Sequence, residues 1–182
     1  MNRPLTRDQL ISDMTNGYQT SGVNFLQHGQ MVADRFDDLI GDQKMQWRLP
    51  AWFNKDKIVI SDFDSIKEYQ IFHDCGKPYC RTVDDAGKVH YPDHAKVSAE
   101  IWHSLGGSGR VVSLIARDME CHLLRPADAS AFAVTLDAMI LWMTALCEVH
   151  ANASMFGGIE SDSFKIKWKR LDKCGSIIMN TV

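Results

Sequence analysis

The 182-residue sequence contains no C-x-x-C pair, and its five cysteines (Cys75, Cys80, Cys121, Cys147 and Cys174) are odd in number. This argues against a disulfide framework and against a zinc ribbon, and it points to a reducing, cytoplasmic setting. No stretch approaches the roughly 18 apolar residues that a membrane helix needs, and the opening MNRPLTRDQL lacks the apolar core of a secretory leader. A basic surplus is missing too, with 20 Lys and Arg against 23 Asp and Glu for a net charge of -3. A protein that lives on nonspecific phosphate attraction is usually basic. Any nucleic-acid contact is therefore expected to be local, or the substrate to be small or a chain end. The phosphate-cradling pattern G-x-x-x-x-G-K-[ST] is absent, which excludes a P-loop kinase. There is no internal repeat and no low-complexity segment.

What is there is ordinary for a globular chain: 45% hydrophobic and 24% charged residues. The length fits one domain with a real core, so residues 1–182 are expected to form a single domain. Apolar residues recur every three or four places, which predicts an all-α fold. Helices are expected over 5–18, with Thr6 as N-cap and Leu10, Ile11 and Met14 on one face, and then through Phe25, His28, Val32, Phe36 and Leu39 to a stop at Gly41. Residues 42–62 read as a connection. A helix over 64–73 ends before Gly76 and Pro78, and 80–91 read as a loop or small hairpin. Pro92 opens a helix through Val97, Ile101 and Leu105. Residues 111–124 predict another helix and 129–152 a long, central, strongly apolar one. A last helix, capped by Ser161 or Asp162, carries FKIKWKRL.

The candidate chemistry lies in imidazoles and carboxylates. His73 and Asp74 are adjacent at a helix end, followed by Gly76 and Lys77. His28 lies on the apolar side of one helix, His94 opens another, and Asp118 and His122 share a face of a third, four residues apart. Donor sets of nitrogen and oxygen without thiolate suit Fe, Mn, Co, Ni or Zn. A carboxylate such as Asp74 has two oxygens and can bridge two cations.

FLQHGQMVA, HDCGKP and DHAKVSAEIW resemble the ordered motifs of HD-domain phosphohydrolases over roughly residues 22–155. The resemblance implies an all-α HD-domain helical bundle. It implies metal ligation by His28, His73, Asp74, His94 and Asp118, the last in LIARD where the family often has a second-metal His. Two divalent transition-metal ions are implied, with Asp74 and Lys77 in catalysis. The late Asp of the family falls at Asn152, so His150 and Asn152 stand as candidates for that place, with His122 as a further ligand candidate. HDCGKPYC and the run EVHANASMFGGIESDSFKIKWKRL look more narrowly like the HD module of bacterial and phage RNA end-healing enzymes. In these enzymes that module acts on 2′,3′-cyclic phosphate and on terminal 2′- or 3′-phosphate, and is often fused to a polynucleotide kinase. The chain would then be the stand-alone phosphoesterase, acting on nucleic-acid ends or nucleotides and partnered by a separate kinase and ligase. Lys77, Arg81 and Lys96 are the candidate phosphate-binding cations.

Other readings stand beside this one. The same fold serves nucleotidases and (d)NTP triphosphohydrolases, and the Asn at position 152 suits an HD fold that binds a nucleotide or partner without catalysis. A lone His-Asp pair is often a satisfied core pair, and His90 and His103 are expected to be exposed. Trp142 and Met143 belong to the core. Lys165, Lys167, Lys169 and Arg170 read first as a solvated helix face, or else as a track for a polynucleotide with Trp168 stacking on a base.

Overall fold

The computed structural model describes residues 4–20 and 22–181. The described chain is mostly helical, with two small hairpins. It divides into two compact units, one of the chain up to Gln30 with Asp64–Arg117, the other of Met31–Phe63 with the chain from Asp118 onward.

The first unit begins with α1 (Arg7–Asn16), capped where the sequence signals it: the Thr6 hydroxyl accepts the Gln9 N–H at 3.2 Å. Leu10 and Met14 are buried, whereas Ile11 is 39% exposed and lies off the inward face expected for it. Next comes an antiparallel hairpin of β1 (Tyr18–Thr20) and β2 (Val23–Asn24), for which the periodicity of the sequence gave no sign. It leads into α2 (Phe25–Ile40) through a reciprocal cap. The Asn24 side chain accepts the Gln27 N–H at 2.8 Å, and the Gln27 side chain accepts the Asn24 N–H at 3.0 Å.

After α3 (Phe63–Phe72) the chain turns through His73 to Gly76 into the single turn α4 (Lys77–Cys80). The hairpin of β3 (Thr82–Val83) and β4 (Val89–His90) follows. Then come α5 (His94–Ser104) and α6 (Gly109–Ala116).

Two glycines set how closely these pieces approach. A Cβ on Gly29 of α2 would lie 2.1 Å from the Ile71 carbonyl oxygen, so only glycine lets α2 meet the end of α3. A Cβ on Gly76 would lie 2.5 Å from the Ser98 nitrogen and 2.9 Å from the His94 carbonyl oxygen. The Gly76 N–H donates to the Ser98 hydroxyl at 2.8 Å, which ties the turn to α5.

The second unit carries α7 (Asp118–Leu123), α8 (Ala129–Ala133), α9 (Ala138–Ala151) and α10 (Asp162–Thr181). The single helix expected over 111–124 is interrupted at Arg117. The one expected over 129–152 is broken at Val134–Asp137, where Asp137 takes a left-handed φ of 59° and Val134 and Leu136 are exposed. Apolar periodicity did not reveal these breaks because no proline or glycine marks them. Trp142 of α9 packs beneath Gly175 of α10, and its indole N–H donates to the Leu171 carbonyl at 2.8 Å. The 42–62 connection is pinned to this unit by tryptophans: Trp47 N–H donates to Asp38 at 2.7 Å and Trp52 N–H to Asp172 at 2.8 Å.

Candidate metal centre

In the first unit, the turn after α3 presents Asp74 fully buried, with His28 of α2, His73 and His94 of α5 around it. Its two oxygens face different partners. Oδ2 lies 3.3 Å from His73 Nε2, 3.8 Å from His28 Nε2 and 2.6 Å from Lys77 Nζ. Oδ1 lies 3.6 Å from His94 Nε2. The His28 and His73 rings stand edge to face, with centroids 5.3 Å apart.

The backbone fixes the tautomers of two of these imidazoles. His73 Nδ1 is 2.8 Å from the Gln70 carbonyl, and His94 Nδ1 is 3.1 Å from the Tyr91 carbonyl. A carbonyl oxygen only accepts, so each Nδ1 carries the proton. In a neutral ring Nε2 then bears the lone pair, turned toward the carboxylate. This arrangement of nitrogen and carboxylate donors has the chemistry to hold a metal ion beside the Lys77 ammonium.

Burial pushes the Asp74 carboxyl upward, but the Lys77 ammonium, His73 and His28 outweigh it and hold the group well below the usual carboxylate range. Asp74 is therefore an anion at every pH where the protein would work. Lys77 is itself buried and also donates to the Gln19 side-chain oxygen at 2.9 Å. Its ammonium lies 5.9 Å from the Phe25 ring centre and 5.7 Å from that of Tyr91.

Within the first unit, the buried His28 and His73 are imidazoles able to contribute to holding a metal ion. Glu148 was not singled out from the sequence. The available signal was its place one turn before Asn152, on the same helix face as that candidate. Within the second unit, Glu148 pairs with His122 at 2.6 Å.

The other sequence candidates fall as follows. Asp118 is buried at the start of α7. Asn152 ends α9, and its backbone N–H donates to the Glu148 carbonyl at 2.9 Å. His150 is corrected as a ligand candidate, because both its nitrogens are used inside the second unit. Its Nδ1–H donates to the Leu146 carbonyl at 2.8 Å, and its Nε2 accepts the Arg48 N–H at 3.0 Å. No lone pair is left for a cation. The Lys96 side chain is 78% exposed and reaches toward Glu100 at 3.9 Å. Arg81 is exposed just after α4. The Trp168 indole N–H donates to the Arg48 carbonyl, and the Arg48 guanidinium lies over its ring at 5.1 Å.

No helix among the described residues is long and apolar enough to cross a membrane. No protein-family model, curated protein or solved structure matches the chain.

Proposed function

We propose that this chain is a metal-dependent phosphohydrolase of the HD-domain type, which opens 2′,3′-cyclic phosphates and removes terminal 2′- or 3′-phosphates from nucleic-acid ends or nucleotides. The observation that carries the reading is the buried Asp74 carboxylate, with one oxygen toward His28 and His73 and the other toward His94, beside the Lys77 ammonium. In this reading His28, His73, His94 and Asp74 are the residues that would hold divalent cations. Such cations supply Lewis acidity toward a phosphoryl oxygen and activate water near neutral pH.

The chain's own residues do the rest. Lys77 is held on Asp74 and Gln19, so its charge is already positioned when a phosphate arrives and needs no reorganisation. Its ammonium stabilises charge on a nonbridging phosphoryl oxygen as a point donor. The carbonyls of Gln70 and Tyr91 orient His73 and His94 and raise their basicity as ligands. The absence of a basic surplus suits recognition of an end, where few backbone phosphates need neutralising.

The test is a substrate panel run with Mn, Ni, Co, Fe and Zn, comparing 2′,3′-cyclic nucleotide, 2′- and 3′-phosphate-ended oligonucleotides, and nucleoside triphosphates. The expected result is metal-dependent release of phosphate from the cyclic and terminal esters, with a shallow salt dependence. Hydrolysis of a deoxynucleoside triphosphate far faster than of any cyclic or terminal phosphate would overturn the end-healing assignment. No hydrolysis of any ester with any metal would overturn the whole reading.

A further inference from the structure

A groove of about 590 Å³ opens in the first unit on the hairpin side of the Asp74 cluster. That is the size range of small-molecule sites, about 300–1,000 Å³. Two of its walls are Phe25 and Tyr91, which pack edge to face at 5.7 Å. These are the same rings that flank the Lys77 ammonium. The groove therefore begins where the candidate phosphate site ends.

Its chemistry is aromatic and nearly neutral. Tyr18 is 59% exposed and Tyr79 43% exposed, and both line it. They stand on two different elements, a hairpin strand and α4, yet line one groove. Tyr79 is not loose: its hydroxyl donates to Asp13 at 2.6 Å, which fixes the ring. Burial and then that carboxylate push the phenol upward, so the proton stays on Tyr79. The Tyr79 hydroxyl occupies one oxygen of Asp13, which keeps its negative charge, and the Arg81 guanidinium at the same groove offsets that charge.

We infer that this groove is a base subsite, in which Tyr18 and Tyr79 stack on the nucleobase of the nucleotide whose phosphate lies at Lys77 and Asp74, with Arg81 directed to a neighbouring backbone phosphate. A planar heterocycle joined to an anion matches these features, whereas an aliphatic phosphate ester would leave the tyrosines unused. The inference rests on the proposed phosphoesterase reading and adds to it the part of the substrate that is recognised. Stacking is tolerant of base identity because every base has a π-face, so little discrimination among the four bases is expected.

The test uses the full chain and two readouts. Binding is followed with 2-aminopurine riboside 3′-monophosphate, whose fluorescence is quenched on stacking. Turnover is compared between uridine 3′-monophosphate and β-glycerophosphate, which carries no ring. Tyr18→Ala and Tyr79→Ala are each expected to weaken probe binding about 10-fold, within the range for loss of one stacking partner. They should lower kcat/KM for the uridine ester about 10 times more than for β-glycerophosphate, mainly through KM. Tyr18→Ala changes an exposed side chain, so it stays informative if Tyr79→Ala folds poorly. Equal losses on both esters, or unquenched probe with the native chain, would overturn the subsite. A native chain that hydrolyses no ester but quenches the probe through Tyr18 would support the subsite and remove the phosphoesterase reading.

Discussion

Gly76→Ala isolates what the HDCGK turn requires of its glycine. The backbone there has φ -81° and ψ -17°, which alanine adopts freely, so no dihedral strain enters. The obstacle is space. The new Cβ would stand 2.5 Å from the Ser98 nitrogen, 2.8 Å from the Ser98 hydroxyl and 2.9 Å from the His94 carbonyl. Ordinary contact begins at 3.4 Å, so α5 or the turn must give way by about 0.9 Å. Two of these atoms are helix backbone, so no side chain can swing aside. Overpacking of this kind costs about 1–3 kcal/mol, and weakening the Gly76 to Ser98 hydrogen bond adds about 1 kcal/mol. Because His94 opens α5, the same shift disturbs its 3.6 Å approach to Asp74. A misplacement of about 1 Å can lower a rate about 10²-fold. Urea denaturation and turnover of a 2′,3′-cyclic nucleotide, both with saturating Mn, are the assays. Gly109→Ala is the control, since a Cβ there meets nothing within 4 Å and should be neutral or slightly stabilising. A Gly76→Ala protein within about 0.5 kcal/mol of native stability, with an unchanged rate, would refute the reasoning.

Lys77→Ala should lower the rate about 10²-fold or more while metal content stays near native, because a protonated ammonium does not ligate a cation; an unchanged rate removes its role. His150 gives a pH signature. Burial, partly offset by the Leu146 carbonyl, depresses the ring from 6.5 to about 4, so it stays neutral in the fold, while the unfolded chain takes up a proton near pH 6.5. The stability it contributes is fully present above pH 6.5 and is lost as pH falls toward 4, by at most about 3 kcal/mol. Chemical denaturation across that window should show a flatter pH dependence in His150→Phe, and identical slopes would contradict the assignment.

Much of the helical scaffold was legible because the signals were local. Thr6 and Ser161 cap where a hydroxyl stands before an apolar-periodic run, and the Ser161 hydroxyl accepts the Phe164 N–H at 3.2 Å. His28, inferred to face inward from the stripe it shares with Phe25 and Val32, is 1% exposed. The β1–β2 hairpin was not legible, since its two short strands are too brief to show alternation. The meeting of His28, His73, Asp74 and His94 could be proposed from motif order. Its physical enablers, Gly29 against Ile71 and Gly76 against Ser98, emerge only when the backbones are placed. His150 stands next to the expected late-Asp place in sequence, but a helix turns about 100° per residue. Its neighbours there are Trp47 and Phe164, 4.6 and 5.1 Å away between ring centres.

The central claim is that Asp74 is the carboxylate on which the metal centre is built, and metal analysis tests it most directly. The native chain and Asp74→Ala are each reconstituted with Mn, desalted and assayed for bound metal, with circular dichroism to confirm that both are folded. The native chain is expected to retain metal and Asp74→Ala to retain none. Full occupancy in folded Asp74→Ala, or none in the native chain with any of Mn, Ni, Co, Fe or Zn, would contradict it.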